Sequence, residues 1–340
     1  MGGHGLGLGA TLMAHVRTWR PYTLWYVGLV GLAGHAITSD RHDDARMVAA
    51  WAVPTLIWVA AHYLGDYLDR ELDGVSKPQR PIPSGLIRPR TAVCCGSALA
   101  AAAVVTAAAV NYRTLIVTAA GIGGALAYNG FFKARGLLGN LVRGSLTGGA
   151  LVFGAMTASD LPPVRILLFV PVFWAHDAAS NLVGTLRDVA GDRAGGYATF
   201  PVRRGPRAAV RTAAGLYALA VSVAAAGLLT MTGDREGGLV SLLVAAGLGG
   251  GAFGMLYASG PEPAARLALR SHEVLVVERM VLAAVFLVPG LGGLVAIGIL
   301  APMLAVTLGT QQAMRARHEF PHGTPARPDG DAAAAPARFS

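Results

Sequence analysis

Long apolar runs alternate with short polar ones along this chain. The apolar runs cover residues 22–37, 46–64, 91–110, 113–130, 139–158, 162–184, 208–231, 237–258 and 274–307. Most reach the roughly 17 to 25 residues a helix needs to cross a bilayer. The last run is long and is interrupted over Pro289–Gly293; it forms either one span with a tail or two short spans. The expected fold is all-α, a polytopic membrane bundle of about nine transmembrane helices. The first residues lack an apolar core followed by a small-residue cleavage site, so no removable signal peptide is expected. The last residues, 311–340, are rich in Pro, Ala and Gly without apolar periodicity. They are expected to form a disordered tail behind a transmembrane domain at 1–310.

Composition supports the membrane assignment. At 54% hydrophobic and 14% charged residues, with mean hydropathy +0.51, the chain lies outside the range of soluble domains. The net charge of +9 comes from arginines scattered through short loops, which fits the positive-inside rule and not a nucleic-acid face; no nucleic-acid partner is expected. Arg17 and Arg20 before the first span argue for a cytoplasmic start. That start places the loops at 65–90, 131–138, 185–207 and 259–272 on the cytoplasmic side of a cytoplasmic membrane. The high Ala, Gly and Arg content is that of a GC-rich genome, and a bacterial source is expected. The 45 glycines suit close helix approach within lipid. Cys94 and Cys95 are adjacent in an apolar run and read as packing residues.

The informative polar stretch is Gly65–Gly85, GDYLDRELDGVSKPQRPIPSG. Asp66, Asp69 and Asp73 recur at spacings of three and four, on one face of a helix leaving the membrane. Unneutralised, such carboxylates repel. A hard, oxygen-seeking Mg²⁺, bound by carboxylates and substrate phosphates, relieves that repulsion. Lys77 and Arg80 follow, in a loop stiffened by Pro78, Pro81 and Pro83, so acid and base together suggest a metal-bridged diphosphate site. A lone motif of this kind is usually a solvated loop. Here a second copy exists: LRDVAGDRAGGYATFPVRRG sets Asp188 and Asp192 four apart and offers Arg193, Arg203 and Arg204. Asp188 and Asp192 repeat Asp69 and Asp73 at one constant offset, as an internal duplication would. Two pseudo-repeated halves around a central cavity are therefore expected, with the loops at 65–90 and 185–207 facing it. Asp177 and Asn181 continue the face of Asp188 and Asp192 into the span, and a buried ionisable group there costs on the order of 3 kcal/mol unless it faces a cavity or partner. Both are expected to line the cavity and meet substrate. His176 reads as structural, and Glu278 with Arg279 as charges paired to other spans.

These motifs resemble those of the UbiA superfamily of intramembrane prenyltransferases. That family's first motif, NDxxDxxxD with a following RPIPSG loop, and its second, DxxxD before a GDRxxG-type turn, have counterparts here. The resemblance spans about Arg20 to Met303. It implies that Asp66, Asp69, Asp73, Asp188 and Asp192 hold Mg²⁺ and act in catalysis. It also implies that Lys77, Arg80, Lys133 and Arg143 contact the diphosphate of a polyprenyl substrate whose tail lies among the spans. The reaction implied is transfer of the prenyl cation to an aromatic or lipid acceptor, with membrane lipid as surroundings. Two positions depart from the pattern: Gly65 stands in place of Asn, and Gly184–Thr185 in place of Lys-Asp. The second departure favours an unusual acceptor or the alternative of a UbiA-type terpene cyclase acting on a C15 or C20 diphosphate. A lipid transporter is a lesser alternative, since duplicated halves with polar spans also describe carriers.

Overall fold

The computed structural model describes residues 7–39 and 43–320. Among them helix predominates. The first half runs α1 (Leu8–Trp19), α2 (Tyr26–Thr38), α3 (Asp44–Leu68), the short α4 (Arg70–Ser76), α5 (Pro89–Val110) and α6 (Leu115–Ala127). The second runs α7 (Leu137–Ala158), α8 (Val170–Leu186), the short α9 (Val189–Ala194) and α10 (Phe200–Arg204), α11 (Pro206–Leu229) and α12 (Arg235–Ala258). Then come α13 (Ala265–Leu291), α14 (Gly293–Thr310) and a last turn, α15 (Ala316–Glu319). In order, α2, α3, α4, α5 and α6 correspond to α7, α8, α9, α11 and α12, which is the duplication anticipated from the aspartate spacing.

Local sequence sets the boundaries. Asp43 caps α3 by accepting from Arg46 N at 3.1 Å, and Asp234 caps α12 by accepting from Gly237 N at 2.9 Å. Proline occupies the first turns of α5, α8 and α11, where its missing N–H costs nothing. Gly292, at φ 87°, turns the chain between α13 and α14, so the last apolar run is two helices. Nine helices among the described residues are long and apolar enough to cross a membrane; the protein is an integral membrane protein. The shorter α2, 13 residues or about 20 Å long, is enclosed by the others, and all its residues from Tyr26 to Ile37 are buried. This helix is what the run at 22–37 forms: it starts at Tyr26 because a turn at Pro21–Thr23 precedes it, and it is too short to be one of the nine.

Packing is closest where the corresponding helices α2 and α7 cross. A Cβ added at Gly154 would lie 1.7 Å from Gly31 O, and one at Gly34 2.0 Å from Leu151 O. Backbone meets backbone there, which only glycine permits. A two-residue parallel bridge, β1 (Arg135–Gly136) with β2 (Ala198–Thr199), ties the loop before α7 to the loop after α9. The helical chain continues past the expected boundary at 310: Gln311–Arg315 forms a π-helical turn, and α15 follows with His318 and Glu319 buried. That stretch is not a tail, because it returns to the aspartate-bearing end of the bundle and is held there. The remainder of the expected tail, 321–340, lies outside the described residues.

Candidate active site

The junctions α3–α4 and α8–α9 are built alike. Each long helix stops beside an aspartate with near-identical backbone, φ −82°, ψ −1° at Asp69 and φ −97°, ψ 1° at Asp188. A short helix follows, and its own aspartate donates its N–H to the first one's carbonyl at 2.8 Å in both halves, Asp73 to Asp69 and Asp192 to Asp188. The helix is therefore not continuous through Asp66, Asp69 and Asp73, yet all three are buried. They open onto one cavity of about 730 Å³ that also receives Asp188 and Asp192. Lys77, Arg80, Lys133, Arg143, Asp177 and Asn181 line the same cavity, so the five aspartates and these six side chains are brought to one place.

Each carboxylate has a partner. Arg20 binds Asp66, and Lys133 binds Asp69. Arg80 Nη1 reaches Asp73 Oδ2 at 2.7 Å; Lys77 Nζ reaches Asp188 Oδ1 at 3.0 Å, and Arg187 Nη2 reaches Asp188 Oδ2 at 2.7 Å. Thr199 Oγ1 donates to Asp192 Oδ2 at 3.1 Å. Burial by itself would lower Arg80, Lys133 and Arg187, but Asp73, Asp69 and Asp188 outweigh it and hold them above their ordinary values. Burial would raise the Asp188 carboxyl, yet Arg187 and Lys77 hold it well below the carboxylate range. Asp192 forms no ion pair among the described residues, and burial with repulsion from Asp188 outweighs Thr199, Lys133 and Lys77 and pushes it up to about 6.

Among the described residues no three His, Cys, Asp or Glu side chains stand where they could share an ion. The donor chemistry nevertheless fits Mg²⁺. Five carboxylates border one cavity, Asp66 Oδ2 is buried without a hydrogen-bond partner among the described residues, and Mg²⁺ needs only one or two carboxylates when phosphate and water complete its shell.

Farther in, Asp177 accepts from Thr147 Oγ1 at 2.9 Å and Arg143 Nε at 3.2 Å, with Arg279 Nη1 at 3.6 Å. Asn181 Oδ1 accepts from Asn140 Nδ2 at 2.7 Å. Arg143 stacks on Trp58, 4.0 Å from the ring centroid. Glu278 turns away from the cavity and pairs with His176, while Tyr217 OH donates to it at 3.2 Å. Glu278 and His176 are therefore a structural pair, and Arg279 belongs to the cavity.

Several cavity residues escape the motif reading. Arg20, which binds Asp66, is the sole non-glycine residue with positive φ (53°) among those described; the turn before α2 holds it in that uncommon conformation. Arg187 takes the role offered by Arg193, Arg203 and Arg204, which are exposed and absent from the cavity wall. Their segment is turned away by the β1–β2 bridge and α10. Glu319 arrives from the chain's far end and contacts Lys77 Nζ at 3.2 Å, Arg80 Nη2 at 3.4 Å and Arg187 Nη1 at 3.3 Å. One carboxylate thus occupies three cations suited to phosphate oxygens. Glu319→Gln is expected to tighten inorganic pyrophosphate binding about tenfold, as a charge-assisted competitor is removed; calorimetry on the purified protein measures it, and unchanged affinity would deny the competition.

Structure also accounts for the two departures from the motif pattern. A Cβ on Gly65 would lie 3.1 Å from the Asn129 amide, so an asparagine from the π-helical turn after α6 fills the space beside the aspartates. A Cβ on Gly184 would lie 3.1 Å from His272 Cε1, so the glycine makes room for that ring.

A duplicated bundle of spanning helices, with paired aspartates and basic side chains at one end of a shared chamber, is the architecture of an intramembrane prenyltransferase. The chain belongs to the UbiA prenyltransferase family, matching it over residues 24–271. A digeranylgeranylglyceryl phosphate synthase of Natronomonas pharaonis is 31% identical over 203 residues, 59% of this chain and 73% of that protein. The fold is shared with a UbiA homologue of Aeropyrum pernix K1 at TM-score 0.67 and 18% identity, over 79% of this chain and 98% of that one. It is shared too with a UbiA homologue of Archaeoglobus fulgidus bound to DMAPP and Mg²⁺, at TM-score 0.63 and 18% identity, over 88% and 99% of the two chains.

Proposed function

We propose that this prenyltransferase ionises a polyprenyl diphosphate with Mg²⁺ and transfers the prenyl group to the hydroxyl of a lipid acceptor carrying a glyceryl phosphate head. The observation that carries the reading is the convergence of both aspartate pairs with Lys77, Arg80, Lys133 and Arg187 on one cavity. The lipid acceptor is supported by the product named for the relative in Natronomonas pharaonis. The site faces the cytoplasm, since most loop arginines and lysines fall on the aspartate side.

Lys77, Arg80, Lys133 and Arg187 bind the diphosphate oxygens, and Asp66, Asp69, Asp73, Asp188 and Asp192 supply oxygen ligands for the metal. Bound Mg²⁺ supplies positive charge against the leaving group, usually the largest contribution to such a step. As the carbon–oxygen bond breaks, diphosphate leaves with the electron pair, and the surrounding helices exclude water from the allylic cation. The acceptor oxygen bonds to that carbon, and its proton passes to the departing diphosphate. Intramolecular cyclisation is less suited to this chamber. Arg143 covers the face of Trp58, and Arg279 reaches the same cavity, so fixed positive charge stands where a cyclase would need to stabilise a migrating cation.

The test incubates detergent-purified protein with Mg²⁺ and C10, C15 or C20 prenyl diphosphate, with and without a prenylated glyceryl phosphate. An ether product that depends on acceptor, with equimolar diphosphate and loss of both on adding EDTA, is expected. Cyclic hydrocarbons or alcohols formed without acceptor would replace this reading with the cyclase.

A further inference from the structure

We propose that the end of the last spanning helix builds a second anion subsite, centred on Arg315 with His272 and Tyr22, that receives the phosphate head of the acceptor. The proposal rests on the transfer reading above for the identity of the ligand, but not for the existence of the subsite. Arg315 is 1% exposed and borders the active-site cavity together with His272 and Tyr22. Its Nη2 donates to His272 Nδ1 at 2.6 Å, and its guanidinium lies 5.3 Å from the Tyr22 ring centroid. Its Nε and Nη1, and the Tyr22 hydroxyl, are buried with no hydrogen-bond partner among the described residues.

A buried guanidinium is costly unless an anion accompanies it. Among the described residues no carboxylate forms a salt bridge with Arg315; Glu319, the acid on the same stretch, is taken by Lys77, Arg80 and Arg187. The bond from Arg315 also fixes the tautomer of His272. Because arginine only donates, Nδ1 accepts, and the ring carries its proton on Nε2 as a further donor. Gly184 leaves the space that this ring occupies. A π-helical turn, Gln311–Arg315, sets the direction of the arginine, and such turns concentrate at functional sites. Arg315 Nε and Nη1 and the Tyr22 hydroxyl therefore border the cavity with no acceptor among the described residues, beside but distinct from the groups that hold the diphosphate.

The experiment uses the full chain in detergent with Mg²⁺ and a saturating prenyl thiolodiphosphate, which fills the donor site without ionising. Glycerol 1-phosphate is then titrated by calorimetry into wild type, Arg315→Met and Arg315→Lys. Wild type is expected to bind it. Arg315→Met should weaken binding at least about tenfold, as loss of a charge-assisted contact does, with Arg315→Lys intermediate and thiolodiphosphate affinity unchanged in all three. Equal binding in Arg315→Met, or a parallel loss of thiolodiphosphate affinity, overturns the subsite. Should Arg315→Met not fold, His272→Gln with Arg315→Lys carries the test, and unaltered binding in both overturns it equally. Turnover separates the two claims. Transfer that ignores Arg315 keeps the proposed reaction and removes the subsite, whereas Arg315-dependent phosphate binding without any transfer keeps the subsite and removes the reaction.

Discussion

Asp188→Asn is expected to lower diphosphate release by about 10²–10³-fold while leaving the protein folded, as removal of a preorganised electrostatic group does elsewhere. The carboxylate is held by Lys77 Nζ at 3.0 Å and by Arg187 Nε and Nη2 at 3.1 and 2.7 Å. Asparagine keeps the shape and one acceptor but neither the charge nor the second oxygen. The loss falls on turnover because two cations lose the anion that fixes their positions and a candidate metal ligand disappears together. Stability should hold, since the Asp188 side chain is 24% exposed and Lys77 15%, and a pair within reach of water contributes little to folding. Asp69→Asn should behave alike, its partner Lys133 being 31% exposed. Diphosphate release, read beside the elution profile on gel filtration, checks both; full activity in either variant would remove the aspartates from the chemistry.

The second large effect concerns the frame. Gly154→Ala is expected to destabilise the bundle by about 3 kcal/mol or more, at the upper end for overpacking, because the atoms nearest the new Cβ are backbone: Gly31 O at 1.7 Å and Gly31 C at 2.5 Å. Backbone cannot swing aside as a side chain can, so α2 and α7 must part. The cost also reaches the site, since the turn that aims Arg20 at Asp66 leads directly into α2. Gly250→Ala on α12 is the control; among the described residues nothing beyond its own helix lies within 4 Å of its added Cβ, and alanine there should be neutral or mildly stabilising. Thermal unfolding in detergent compares them. Equal transition temperatures would mean that the crossing of α2 and α7 yields easily.

What could be read in advance follows from how local each signal is. Aspartates a turn apart at the end of an apolar run are visible to a short window, and their recurrence at a constant offset makes them more than an ordinary loop. The apolar runs likewise report the spanning helices, because a bilayer demands length and composition from every one. Residues that reach the site from a distance leave no such mark. Arg20 depends on a left-handed backbone before α2, and Arg187 sits one position before a recognised aspartate, outranked in the sequence by the arginine-rich stretch behind it. Glu319 and Arg315 were hidden by composition, since Pro, Ala and Gly enrichment beyond residue 320 colours the whole end of the chain. A signal did exist at Pro289–Gly293: counting that interruption as a reversal brings the following helix back to the aspartate side.

The hairpin at Gly292 also orders the protein's own synthesis. Every aspartate of the site has left the ribosome once residue 192 has, but Arg315 and Glu319 join them only after α14 has inserted and doubled back. Until then a nascent chain presents Lys77, Arg80 and Arg187 without their shared carboxylate, and the site acquires that charge only once α14 is in place.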